Sequence, residues 1–154
     1  SVSARAVLAT LKLAGIPPER VHMTGFTRTM EEHLAMYEEC HVALDTWPYN
    51  GTTTTCEALW LGVPTLTLRG DRHAGRVGAS LMTAVGLPEF VAETPDDYVA
   101  KAVALAGDID RLAALRRGLR GRMRASPLMD APRFARAVEA AYRRMWRRWC
   151  AGGD

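Results

Sequence analysis

Cysteine is scarce in this sequence. Three occur in 154 residues, at Cys40, Cys56 and Cys150. An odd, scattered set with no paired spacing excludes a disulfide framework and a Cys-rich zinc site. Each reads as a small buried hydrophobe rather than a nucleophile, and the set suits a reducing cytoplasm. Long apolar runs are missing too. No stretch of eighteen apolar residues occurs, and no charged-then-apolar leader opens the chain. The reading therefore expects no membrane span and no signal peptide. The chain does begin abruptly inside a helical pattern, as an excised piece of a longer protein would.

What is present is enough apolar material for one core. The hydrophobic fraction is 48%, and the length suits a single domain. Charge is divided along the chain. Residues 1–110 carry 8 basic and 14 acidic groups, and residues 111–154 carry 12 basic and 3 acidic ones. A basic tail can serve nucleic acid or an acidic membrane surface. It reads better as the solvated face of arginine-rich helices or as contacts to an absent partner domain. A nucleic-acid module would want aromatics interleaved on a sheet face and a known motif spacing, and neither is seen.

One stretch organises the rest: Val42–Pro64, VALDTWPYNGTTTTCEALWLGVP. Val42–Asp45 is a short apolar run suited to a buried strand. Tyr49-Asn-Gly51 is turn chemistry. Thr52–Thr55 then opens a helix, with Ala58, Leu59 and Leu61 facing the core and Gly62 and Pro64 ending it. Strand, glycine turn and helix start form a phosphate-cradling geometry. The first amides of a helix lack intrahelical partners and sit at the positive end of its dipole. Gly51 lets an anion approach, and Thr52, Thr53 and Thr54 add hydroxyl donors. Glu57, one turn along, reaches toward a sugar hydroxyl. The competing reading is a capped helix with spare hydroxyls.

The remaining elements alternate as a parallel α/β protein does. Ser1–Gly15 reads as a helix, Val21–Phe26 as a strand, and Thr27–Thr29 as a loop at its carboxyl end, where open α/β sheets bind ligands. Met30–Cys40 reads as a helix packed through Leu34, Met36 and Tyr37, with His33 in its first turn. Asp45 reads as a turn-stabilising carboxylate. Trp47 and Tyr49 either line a sugar pocket or cover strand ends. Thr65–Leu68 is a strand, Arg69–His73 a polar loop, and Ala74–Val85 a helix. Arg76, early in that helix, faces a phosphate or the acceptor, or else forms a structural ion pair. Phe90–Ala92 is a short strand. Thr94 and Asp108 start two more helices. Arg133–Trp146 is an amphipathic helix with Phe134, Val138, Ala141, Tyr142 and Met145 on one face, a stripe of the kind that usually packs into a core.

LDTWPYNGTTTTCEALWLGVPTLTL, GRVGASLMTAVGL at Gly75–Leu87, SPL at Ser126–Leu128 and AYRRMWRRWC appear in order. Together they resemble the C-terminal catalytic lobe of the O-GlcNAc transferase and SPINDLY-type protein O-glycosyltransferases, glycosyltransferase family 41. TTTTCE looks closer to the SPINDLY branch. The resemblance runs from about Arg20 to Cys150. It implies a Rossmann-like parallel sheet flanked by helices, the nucleotide-sugar-binding half of a two-domain GT-B fold, with extra C-terminal helices. Residues 1–130 would be a partial donor-binding domain. Residues 131–154 would be a basic helix packing on it or on the missing lobe. It also implies an inverting enzyme that needs no metal and transfers a sugar to Ser or Thr of protein acceptors. The donor would be UDP-GlcNAc or GDP-fucose. The missing partners would be an N-terminal catalytic lobe and tetratricopeptide repeats, of which none is seen here. Neither nucleic acid nor membrane is expected, and the location would be cytoplasmic.

Residue by residue, the resemblance sets the leaving diphosphate against Thr52, Thr53 and Thr54, and the ribose against Glu57. Glu31-Glu-His33 matches a segment whose histidine lies against the nucleotide. Arg28 falls in the loop that touches the base. No catalytic residue is expected in this chain, because the general base belongs to the missing lobe. There are departures. O-GlcNAc transferases carry a histidine at the position of Thr52, a lysine at Met30, an arginine at Met36 and an aspartate at Glu57. These bear on donor recognition, and they leave open a non-catalytic interaction domain that keeps the fold without the donor site.

Overall fold

The computed structural model describes residues 2–152. The chain divides into two compact units, residues 1–33 and 34–154. The first holds helix α1, Val2–Leu13, and a short 3-10 turn at Pro18–Arg20. Lys12 in the last turn of α1 complements the negative helix end. Gly15 takes φ 77°, the left-handed conformation that ends a helix. The expected strand Val21–Phe26 does not form. No described strand pairs with it, and Phe26 is fully exposed. An extended segment without a neighbour has no ladder to join. Helix α2, Met30–Ala35, crosses the boundary between the units. It starts on a reciprocal cap: the Glu32 amide donates to Thr29 Oγ1 at 3.1 Å, and the Arg28 amide donates to Glu32 Oε2 at 2.8 Å. It continues as a 3-10 turn at Met36–Glu38 rather than as one helix to Cys40.

The second unit is a three-stranded parallel sheet in the order β1 (Ala43–Leu44), β2 (Thr65–Leu68), β3 (Val91–Ala92). Ala43 pairs with Thr65, and Thr67 with Val91. Helix α3, Thr53–Trp60, connects β1 to β2, and α4, Val77–Ala84, connects β2 to β3. Each crossover is the unit that parallel pairing requires. β2 is central, and Thr65, Leu66 and Thr67 are all buried. β1 is an edge, so Leu44 stays 59% exposed instead of buried as expected.

The core forms where α3, α4 and the sheet meet two further helices, α5 (Pro95–Gly107) and α6 (Ile109–Ala125). Leu59, Leu66, Met82, Leu87, Phe90 and Leu119 are essentially inaccessible. Both helix starts carry the expected caps. Thr94 Oγ1 accepts from the Asp97 amide at 3.1 Å, and Asp108 Oδ1 from the Arg111 amide at 3.1 Å. The last helix, α7, spans Ala131–Cys150. Its stripe does not enter a core: Phe134, Tyr142 and Met145 remain exposed. No helix among the described residues is long and apolar enough to cross a membrane.

Candidate functional site

The second unit holds Gly51–Thr54, Glu57 and Arg76. His33 and Arg28 belong to the first unit. The loop from β1 to α3 lies at the carboxyl edge of the sheet, and Asp45 anchors it. Asp45 Oδ1 accepts from the Gly51 amide at 2.8 Å, and Oδ2 accepts from Thr67 Oγ1 on β2 at 2.8 Å. The backbone oxygen of Asp45 takes a third bond, from the Tyr98 hydroxyl at 3.1 Å. Asp45 is thus the turn-stabilising carboxylate that its position at a strand end suggests.

Asn50 is the second anchor and is buried. Its side-chain amide donates to the Thr46 carbonyl at 2.9 Å, and its Oδ1 accepts from the Gly78 amide at 3.2 Å. Its backbone amide donates to the Ala74 carbonyl at 2.9 Å. The loop before α3 and the loop before α4 are therefore tied together. A buried amide with its donors and acceptors satisfied holds one geometry.

The four threonines split into two kinds. Thr52, Thr53 and Thr54 are exposed, and Thr55 is buried. Thr55 Oγ1 turns back to donate to the Gly51 carbonyl at 3.0 Å. Thr52 precedes α3 but makes no side-chain cap. The opening amides of α3 therefore have no intramolecular acceptor among the described residues. Gly51 has a reason that turn chemistry does not reveal. A Cβ there would lie 2.8 Å from Thr54 Oγ1 and 2.9 Å from Thr55 Oγ1. The missing side chain makes room for the hydroxyls, and its φ is not in the left-handed region. Glu57 is half-buried, one turn along α3.

A small hollow of about 170 Å³ touches the helix start at Gly51, Thr54 and Thr55; a larger open cleft of about 660 Å³ lies at the carboxyl edge of the sheet. Its walls include Trp47, Tyr49, Leu68, Arg69, Arg72 and Glu93, drawn from the carboxyl ends of all three strands. Trp47 and Tyr49 are both among its walls, and both are more than half exposed. Arg69 pairs with Glu93 at 3.3 Å. Arg76 Nε donates to the Gly70 carbonyl at 3.0 Å, which closes the 69–76 loop. Arg76 makes no ion pair among the described residues.

Sequence reasoning overlooked Tyr37, which it assigned to packing. The Tyr37 hydroxyl lies 3.3 Å from the Thr54 carbonyl oxygen and 3.4 Å from Glu57 Oε2. Burial first, and then the Glu57 charge, push its phenol above the ordinary value. Burial and Glu57 also push the Cys56 thiol up, in keeping with a packed rather than a reactive cysteine. Nothing in the spacing signals the Tyr37 contacts, because they span 17 and 20 residues. The sequence also holds one Asp-x-Asp run, Asp108-Ile109-Asp110. Both carboxylates are exposed, Asp108 is engaged as the α6 cap, and no group of three metal-type side chains converges among the described residues.

The chain resembles known proteins over nearly its whole length. It is 46% identical over 145 residues to the "Probable UDP-N-acetylglucosamine--peptide N-acetylglucosaminyltransferase SPINDLY" of Oryza sativa subsp. japonica, covering 94% of this chain and 16% of that protein. It is 35% identical over 138 residues to the UDP-N-acetylglucosamine--peptide N-acetylglucosaminyltransferase of Caenorhabditis elegans, covering 90% and 12%. A solved mutant of the Thermobaculum terrenum O-GlcNAc transferase superposes with a TM-score of 0.85 at 41% identity, covering 98% of this chain and 29% of that one. The chain spans about a sixth of the length of its plant relatives. The model of glycosyl transferase family 41 matches residues 2–138. With that match running through all three strands and into the last helix, the chain belongs to glycosyl transferase family 41.

Proposed function

We propose that this chain is the donor-binding part of an inverting, metal-independent protein O-glycosyltransferase, which moves a sugar from a nucleotide to Ser or Thr hydroxyls of proteins. The observation that carries the reading is the start of α3. Three exposed threonines and uncapped amides stand at the carboxyl edge of a parallel sheet, and a cleft with aromatic walls opens at the same edge. Fixed donors of this kind can meet the charge that grows on a leaving diphosphate. In this reading Thr52, Thr53 and Thr54 hold the diphosphate and Glu57 the ribose. His33 is assigned to the base or ribose, Arg28 to the base through its backbone and to a phosphate through its side chain, and Arg76 to a phosphate or the acceptor. The names of the relatives favour UDP-GlcNAc as donor, with GDP-fucose as the second choice. The general base, the acceptor protein's docking surface and any tetratricopeptide repeats belong to the part of the protein outside this chain. The location assigned is the cytoplasm, in line with three free cysteines.

The test is a thermal-shift and calorimetric titration of the full-length protein with UDP, GDP, UDP-GlcNAc and GDP-fucose. A ligand that binds only the folded state adds about 2.7 kcal/mol of stability at a hundred times its Kd. Selective stabilisation by one nucleotide, lost in Thr53→Ala/Thr54→Ala, is the expected result. No stabilisation by any of them overturns the reading in favour of a non-catalytic scaffold. The isolated 154 residues are expected to bind weakly and transfer nothing. Turnover by them alone would show that the base lies within this chain.

A further inference from the structure

The turn that carries Tyr37 is held from outside. Arg116, on α6, donates from Nη2 to the carbonyls of Tyr37 at 2.8 Å and Cys40 at 2.7 Å, with a longer contact to Glu38 at 3.4 Å. The Tyr37 carbonyl also closes the turn itself by accepting from the Cys40 amide at 3.3 Å, so Arg116 gathers the end of the turn onto one guanidinium nitrogen. The same helix grips the far end of α3. Gly62 packs so closely on α6 that a Cβ there would lie 2.6 Å from the Arg116 carbonyl oxygen. Arg120 Nε donates to the Trp60 carbonyl at 3.0 Å, and its guanidinium carbon stands 5.0 Å from the Trp60 ring centroid. α6 thus fixes the C-terminal end of α3 and also the turn whose tyrosine reaches into α3's first turns.

A phenol has a single proton. At Tyr37 that proton is shared between the Thr54 carbonyl oxygen and Glu57 Oε2. Both acceptors belong to the segment assigned above to the nucleotide. We infer that Tyr37 is a positioning residue: it holds the Glu57 carboxylate ready for the hydroxyls of a bound nucleotide's ribose, and Arg116 holds Tyr37. The inference rests on the reading of Glu57 as the ribose partner. A glutamate side chain has several rotors to freeze before it can present two oxygens in a fixed direction. A hydroxyl that fixes it in advance removes that ordering from the cost of binding. The raised phenol keeps its proton through the neutral range, so the donor is in place whenever the enzyme works.

The test uses full-length wild type, Tyr37→Phe, Glu57→Gln and the double variant. Calorimetry reads the Kd of UDP and GDP, and steady-state kinetics reads KM and kcat for the nucleotide sugar. Tyr37→Phe is expected to weaken nucleotide binding and raise KM about tenfold, as loss of one hydrogen bond to a charged group does. kcat should fall less than about twofold, because the lost contact is the same in ground and transition states. On a Glu57→Gln background, Tyr37→Phe should cost less than about twofold more, since the two act through one contact. Arg116→Lys, which loses the planar fork, should shift KM in the same direction. Melting without nucleotide, together with the retained phenyl ring, separates this from a general loss of fold. Wild-type affinity in Tyr37→Phe, alongside loss in Thr53→Ala/Thr54→Ala, overturns the inference and leaves the donor site standing. Strictly additive losses in Tyr37→Phe and Glu57→Gln overturn it as well. Wild-type affinity in every variant, the threonine pair included, removes the donor-site reading and the inference with it.

Discussion

The amide of Gly51 donates to Asp45 Oδ1 at 2.8 Å, which ties the residue before the threonine helix to the end of β1. The other carboxylate oxygen accepts from Thr67 Oγ1, whose side chain is completely buried. Asp45→Ala therefore strands a buried hydroxyl and releases the loop. The expected loss is about 2–3 kcal/mol, the desolvation cost of a buried group left without its partner. Urea unfolding measures it. Asp45→Asn, which keeps one acceptor oxygen, should lose less. Equal losses in the two variants would mean that volume, not hydrogen bonding, holds the loop.

Gly78 is the tightest point behind that loop. A Cβ there would run into Thr67 Oγ1 and Asp45 Oδ2. Gly78→Ala is expected to destabilise by about 2–3 kcal/mol through overpacking, with nucleotide binding weakened because Asp45 is displaced. Gly118, in the exposed middle of α6, is the control. Nothing lies within 4 Å of a Cβ there. Gly118→Ala should stabilise by about 0.5–1 kcal/mol through helix propensity alone. Thermal melts of the two variants should move in opposite directions. A shift of the same sign in both would refute the packing account of Gly78.

Where the chemistry is local, the sequence shows its structure. Thr94 and Asp108 read as caps because a side-chain oxygen needs only the amide three residues on, and both make that bond. Thr65–Leu68 reads as a strand because Pro64 and the Arg69-Gly70 break bound an apolar run. Val21–Phe26 carries a similar signal and forms nothing, since alternation does not supply a neighbouring strand. The α7 stripe shows the same gap. Periodicity says that Phe134 and Tyr142 share a face, not that anything covers it, and they are 68% and 66% exposed. At the site, Gly51, the threonines and Glu57 were legible as one segment. Asn50, Tyr37 and Arg116 were not, because what they hold lies across the fold: Arg116 reaches back 79 residues to the Tyr37 carbonyl.

Asp97, in the first turn of α5, sets a pH dependence. Lys101 Nζ donates to Asp97 Oδ2 at 2.8 Å, and the Glu93 amide donates to the same oxygen at 3.1 Å. The Lys101 hydrogen bond first, and the Glu93 amide second, hold this carboxyl below its usual value of 3.8. A carboxyl whose pKa is lower folded than unfolded binds its proton more readily in the unfolded chain. Its stability contribution is therefore complete above the unfolded value and is lost as pH falls through the folded one. The gap in Tm between wild type and Asp97→Asn should be present at neutral pH and should close in acid, below the ordinary aspartate range. A gap that persists unchanged in acid would show that the contact does not depend on the charge.

The division of the threonine run makes the sharpest separation of stability from binding. Thr53 and Thr54 are exposed, and no side-chain bond of theirs holds the fold among the described residues. Replacing both with alanine removes two β-branched residues from a helix start, so stability should change by less than about 0.5 kcal/mol in either direction. The nucleotide-driven rise in Tm should vanish. Thr55 is the reverse case: its hydroxyl is buried and bonded to the Gly51 carbonyl at 3.0 Å. Thr55→Ala should cost about 1–2 kcal/mol, from the lost bond and the methyl-sized gap. The nucleotide shift should survive in it, reduced only as far as the Gly51 carbonyl is freed to move. Melting each variant with and without nucleotide gives a two-by-two comparison. If Thr55→Ala loses the ligand response and Thr53→Ala/Thr54→Ala keeps it, the nucleotide is held by the loop behind the helix, and the exposed hydroxyls are solvent-facing residues with no part in binding.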